Sequence, residues 1–87
     1  MQKFSFGQVV MTNGVSGELG LDEIFDLLTR HGELEQGELG DEDYQMNLRA
    51  VEEGDRVFSC YRVRGERYYV ITEWDRSATT ILKPEEY

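Results

Sequence analysis

Val57-Phe58-Ser59-Cys60-Tyr61-Arg62-Val63-Arg64-Gly65-Glu66-Arg67-Tyr68-Tyr69-Val70-Ile71-Thr72-Glu73-Trp74 is the stretch whose reading decides the fold of this chain. Large β-formers recur every second residue on both sides of Gly65-Glu66, the pattern of a hairpin in which one face is buried. A Gly-X loop suits a type II′ turn, and pairing Arg64 with Arg67 would then set the register. One face carries Val57, Ser59, Tyr61, Val63, Tyr68, Val70, Thr72 and Trp74 and is the better core candidate. Phe58, Cys60, Arg62, Arg64, Arg67, Tyr69, Ile71 and Glu73 lie on the other.

Working outward, Asp75-Arg76-Ser77 reads as a turn, and Ala78 to Lys83 as a further strand that Pro84 stops. Upstream, Asp41 to Glu53 has helical spacing, with Tyr44, Leu48 and Val51 on one face, Asp41 as N-cap and Gly54 as the stop. Residues 32–40 hold two Gly-Glu-Leu triplets and read as a loop. Leu21, Ile24, Phe25 and Leu28 recur at i, i+3, i+4 and i+7, which predicts an amphipathic helix over 21–31. Its acids lie in the first turn and Arg30 and His31 in the last, as the helix dipole favours. Phe4 to Thr12 is β-prone and ends at Asn13-Gly14, a turn dipeptide. The expected order is β-α-α-β-β-β: a two-layer α+β domain with an antiparallel sheet of about four strands and two helices on one face.

The 87 residues make one domain, too short for a dinucleotide-binding fold or a barrel enzyme. Ten aromatic residues and a 39% apolar fraction argue against a disordered tail. The net charge of −9 is unevenly distributed: Glu18 to Asp55 holds thirteen acids and two bases, while the remainder is slightly basic. Affinity for a phosphate backbone comes from cations that displace counterions, so direct nucleic-acid binding is not expected. An acidic segment fits a protein with a basic surface better. The acids Asp41, Glu42, Asp43, Glu52, Glu53 and Asp55 are the candidate acidic surface, with Glu52 and Glu53 standing at the helix end that the dipole disfavours. No apolar run suits a leader or a membrane span, and a single cysteine forms no internal disulfide. The expected setting is the reducing cytoplasm.

Motifs for chemistry are sparse. Asp41-Glu42-Asp43 lacks the alternating ligands of a calcium loop, and no Gly-rich phosphate loop or zinc spacing occurs, so neither metal nor cofactor is expected. His31 in a last helical turn reads first as a favourable cation or hydrogen-bonding group. Cys60 reads as a small buried hydrophobe, since a nucleophile would want His31 beside it. Arg62, Arg64 and Arg67 at the hairpin tip read as guards against edge-to-edge pairing. The segment Thr72-Glu73-Trp74-Asp75-Arg76-Ser77-Ala78-Thr79-Thr80 is the densest polar stretch of the β-half. A ligand-binding or enzymatic alternative would gather His31, Asn47, Tyr61, Glu73, Asp75, Arg76, Ser77, Thr79 and Thr80 in one concave site.

Several of these stretches together resemble a small bacterial family. They are Gly7-Gln8-Val9-Val10-Met11-Thr12-Asn13-Gly14-Val15, Arg30-His31, Gly37 with Leu39, Asn47, Ser59-Cys60-Tyr61, and the run from Val70 to Tyr87. The family is that of the "plasmid-related" proteins of conjugative and other mobile elements, often labelled type I restriction endonuclease subunit M. The likeness covers nearly the whole chain and is most specific at its C-terminal motif. It implies a mobile-element setting and no particular activity; a methyltransferase subunit would need a nucleotide-fold domain that cannot fit here. The reading that follows is a non-enzymatic protein-interaction module carried by a mobile element. Its alternatives are a DNA mimic acting against restriction or another defence, and a small ligand binder or enzyme.

Overall fold

The computed structural model describes residues 1–87, with β1 (Gln8–Met11), α1 (Asn13–Glu18), α2 (Leu21–Gly32), α3 (Asp41–Glu53), β2 (Val57–Val63), β3 (Glu66–Thr72) and β4 (Ala78–Leu82). A single 3-10 turn, Pro84–Glu86, follows. The architecture is α+β, with a four-stranded sheet in the order β1-β4-β3-β2. β2, β3 and β4 pair antiparallel as expected, whereas β1 runs parallel to β4, so the sheet is mixed.

The hairpin's faces are as read, but its turn is not. Arg62 pairs with Arg67 and Val63 with Glu66, leaving Arg64-Gly65 as the two-residue loop. Both loop residues have positive φ, 51° and 83°, the signature of a type I′ turn rather than II′. Relative to an Arg64–Arg67 pairing, each residue's partner moves by two, which preserves the side-chain alternation. Val57, Ser59, Tyr61, Tyr68, Val70 and Thr72 are therefore buried together, while Trp74 lies beyond the strand and is exposed. The opposite face holds the aromatic cluster of Phe58, Tyr69 and Tyr87, with ring centroids 4.8 to 5.8 Å apart.

The first strand is shorter than Phe4 to Thr12, and Asn13-Gly14 begins α1 instead of closing a turn. Two forces override the turn dipeptide. Val15 and Leu19 both enter the core, and the Glu86 carboxylate accepts from the Thr12 hydroxyl at 2.6 Å and from the Gly14 N–H at 3.3 Å. A carboxylate from the far end of the chain thus takes up a free donor of the helix N-terminus.

α2 has the expected limits to within one residue, but its buried face is rotated from that expected. Ile24, Leu27, Leu28 and His31 face the sheet, whereas Leu21 and Phe25 are 71% and 63% exposed. In α3 the buried residues are Asn47 and Ala50. Leu48 and Val51 are half-buried against a second cluster formed by Leu34, Ala50 and Val57. Gly40, not Asp41, is the N-cap, and Gly54 ends the helix at φ 76° as expected.

The outer edge of β2 is covered rather than left open. The Asn47 side chain donates to the Phe58 carbonyl at 2.7 Å and accepts from the Phe58 N–H at 3.0 Å. Two residues on, the Glu38 N–H donates to the Cys60 carbonyl at 2.8 Å. Gly37 permits that approach: its φ is 57°, and a Cβ there would overlap the Tyr61 ring and the Cys60 carbonyl. Edge groups paired in this way offer no template to another strand.

Candidate functional site

Two groups of polar side chains stand out: a buried chain around His31 and a set of unpaired acids at the two ends of α3.

His31 is completely buried between α2 and the sheet. Its Nδ1 lies 2.7 Å from the Ser59 hydroxyl, and its Nε2 lies 2.8 Å from that of Thr72. Thr72 is 2.7 Å from the Thr79 hydroxyl, which donates to the Phe6 carbonyl at 2.8 Å. The direction of the protons as far as the ring follows from that last acceptor. Thr79 spends its one proton on a carbonyl, so it accepts from Thr72, and Thr72 then accepts from Nε2–H. Burial keeps the ring neutral, which makes it the Nε2–H form and leaves Nδ1 to accept from Ser59. Burial pushes its pKa down to about 3, with the Arg76 charge acting in the same direction. Phe4 packs edge-on against the ring at 5.1 Å. With no exposed surface the imidazole cannot meet a substrate, and the chain ties α2, β2, β3, β4 and the N-terminal segment together. Cys60 points to the other face of the sheet, away from His31, and burial pushes its thiol pKa up.

Arg76 has a structural task that sequence reasoning missed. It projects from the β3–β4 turn at φ 59° and donates to the carbonyls of Asp55 at 2.6 Å and of Ala50 and Glu73 at 3.1 Å, while its guanidinium packs over Phe4. Ala50 lies in the last turn of α3, so Arg76 brings a cation to the helix end where Glu52 and Glu53 stand. Asp75 accepts from the Ser77 N–H at 3.0 Å within the turn, and the Ser77 hydroxyl together with that N–H lowers its pKa.

The remaining expected residues are dispersed. Asn47 lines a groove and seals the β2 edge, and Tyr61 donates to the Glu35 carbonyl at 2.8 Å from a buried position that pushes its pKa up to about 12. Thr80 pairs in register with Ile71 and Val10, and Glu73 closes the turn through its backbone. Asp75 meets Ser77 and Arg76 meets Glu73 within the turn, while His31 is joined to Thr79 only through Thr72, inside the core; the nine residues do not converge on one cavity. The two concavities lie elsewhere. One of about 390 Å³ runs between α3 and the start of β2, and one of about 440 Å³ lies between α2 and the N-terminal segment. No group of three or more His, Cys, Asp or Glu side chains is arranged to hold a metal ion, and no helix is long and apolar enough to cross a membrane.

The acids divide into two populations. Those from α1 to the loop before α3, Asp22 excepted, are met by the chain's own cations, Glu33 by the N-terminal amine at 2.9 Å. Glu18 pairs with Lys83 at 2.5 Å, Glu23 with Arg64, Glu38 with Arg62 at 2.9 Å, and Asp26 and Glu35 with Arg30. Hydrogen bonds from Lys83 and Tyr68 lower the Glu18 pKa, and Arg62 does the same for Glu38. The Arg-rich hairpin tip is thus engaged by acids of its own chain. Asp41, Glu42, Asp43, Glu52, Glu53 and Asp55 are all exposed, and none forms an ion pair. Comparison with known protein families, curated proteins and solved structures finds no match to this chain.

Proposed function

We propose that this protein is a non-enzymatic interaction module of a mobile element, one that docks through its acidic α3 half on a basic surface of another protein. One observation carries the reading: the chain's own cations pair with every acid between Glu18 and Glu38 except Asp22, whereas none of the six acids at the two ends of α3 forms an ion pair. Exposed charges left without internal partners steer and orient association with a surface of opposite sign. The two acidic clusters sit about 14 Å apart along the helix axis, at 1.5 Å per residue, with Arg49 between them. Duplex phosphates form an unbroken array, so two discrete clusters favour docking on a protein over imitation of DNA. The mobile-element setting rests on the resemblance of the Val70 to Tyr87 motif.

The test is an NMR titration of the isotopically labelled protein with a ten-residue arginine peptide at low and at physiological salt. Shifts concentrated in residues 41–55 that fade with salt, together with at least tenfold weaker binding by the D41N/D43N/E52Q/E53Q variant, would support the reading. Shifts spread equally over residues 18–38, or a variant that binds as well as the parent, would reject it.

A further inference from the structure

α2 contains more apolar surface than its own fold covers. At 100° per residue, Leu21, Phe25 and Leu28 fall within about 60° of one another on the helix. Leu28 is buried, yet Leu21 and Phe25 one turn apart are largely exposed. Phe25 and Leu28 border the cavity of about 440 Å³, whose other walls are Phe6, Gln2, Thr29, Gly32 and Glu33. A space of that size beside two exposed apolar side chains can receive one large apolar side chain from outside. Asp22 and Asp26 follow on the outer flank of the stripe, and both are exposed. Asp22 has no ion partner, and Asp26 has only a 3.8 Å contact to Arg30.

From this arrangement we infer a docking site on α2 for an amphipathic segment of a partner protein. That segment inserts an apolar side chain between Phe25 and Phe6 and lays Lys or Arg along Asp22 and Asp26. Charge decides against a second copy as the occupant, since self-association would bring two molecules of net charge −9 together and set each acidic flank near another. The site deepens the proposed function and rests on it for the basic character of the partner. It lies on a different helix from the acids that carry that reading, so the two can fail separately.

The probes are a fourteen-residue amphipathic peptide of leucine and lysine and a scrambled peptide of the same composition, each followed by fluorescence anisotropy at physiological salt. The protein should prefer the amphipathic peptide by at least tenfold, and F25S should abolish that preference while leaving affinity for the scrambled peptide unchanged. L21S should lower the preference at least threefold. Urea unfolding of both variants checks that they fold, which the exposure of these side chains predicts. A preference that survives F25S overturns the site. A parent protein that sediments as a dimer which F25S dissociates also overturns it, because the occupant is then a second copy. The D41N/D43N/E52Q/E53Q variant should weaken both peptides equally. If it weakens neither, the α3 reading fails while the F25S result still decides the α2 site.

Discussion

At the scale of single residues, His31 and Arg76 do most to join the layers. The unfolded chain takes up a proton on His31 near pH 6.5, whereas the folded chain resists protonation down to about 3. The unfolded state therefore binds more protons between those values. Stability from this group is complete above pH 6.5 and falls by roughly 1.4 kcal/mol per pH unit below it, until the folded value is reached. Between pH 7.5 and 5.5, above the carboxylate range, His31 is the only side chain expected to titrate. Urea midpoints across that interval should fall for the parent and stay level for His31→Phe. That variant should start about 2 kcal/mol lower, because the Ser59 and Thr72 hydroxyls lose their ring partner. Arg76→Ala should cost roughly 2 kcal/mol through the loss of three charge-assisted bonds, which leaves the Asp55 carbonyl bare while those of Ala50 and Glu73 keep backbone donors. Arg76→Lys should recover little, since a point donor cannot span the same fork. Chemical denaturation measures both.

Among the elements, the edge strand β2 and its hairpin turn show how side chains complete the backbone pairing. Asn47→Ala leaves the Phe58 N–H and C=O half-buried without partners and should lower stability by about 2 kcal/mol. Hydrogen exchange should speed up at Phe58 before it does at Val70, which lies in the sheet interior. Gly37→Ala should be at least as costly, because positive φ and steric overlap act together. A thermal melt that leaves Gly37→Ala unchanged would mean that the loop can leave β2 without consequence. Expected and observed α2 faces differ for a reason belonging to this scale. Periodicity identifies an apolar arc but cannot tell how much of it one sheet will cover. Ile24 and Leu28 were legible as core, whereas Leu27 and His31 took the places that Leu21 and Phe25 were expected to fill.

For the whole molecule, charge governs what the fold tolerates. Glu52 and Glu53 stand at the carbonyl end of α3, where negative charge is disfavoured by about 0.3 to 1 kcal/mol each at low ionic strength. The E52Q/E53Q variant should therefore unfold at higher urea than the parent, most visibly in dilute salt. Equal midpoints would show that Arg76 already offsets those charges. Added sodium chloride should stabilise the parent by screening a net charge of −9, and this gain should shrink in the variant. Stability gained together with weaker binding to basic peptides would identify these acids as retained for association rather than for folding.

Alternation from Val57 to Thr72, the limits of α2 and α3, the Gly54 stop and the uneven charge follow from the sequence by itself, because each depends on side-chain period, local backbone preference or simple counting. The parallel seat of β1, the conversion of Asn13-Gly14 into a helix start and the work of the Thr72 to Thr80 motif were decided only by the tertiary structure. Thr72 and Thr79 complete the chain from His31, and Arg76 closes α3, through partners far away in sequence. A hydrogen bond between residues dozens of positions apart leaves no periodic trace. The same holds for charge: the composition assigns the excess acid to residues 18–55, but only folding brings Lys83 to Glu18 and Arg62 to Glu38, and so determines which carboxylates remain free.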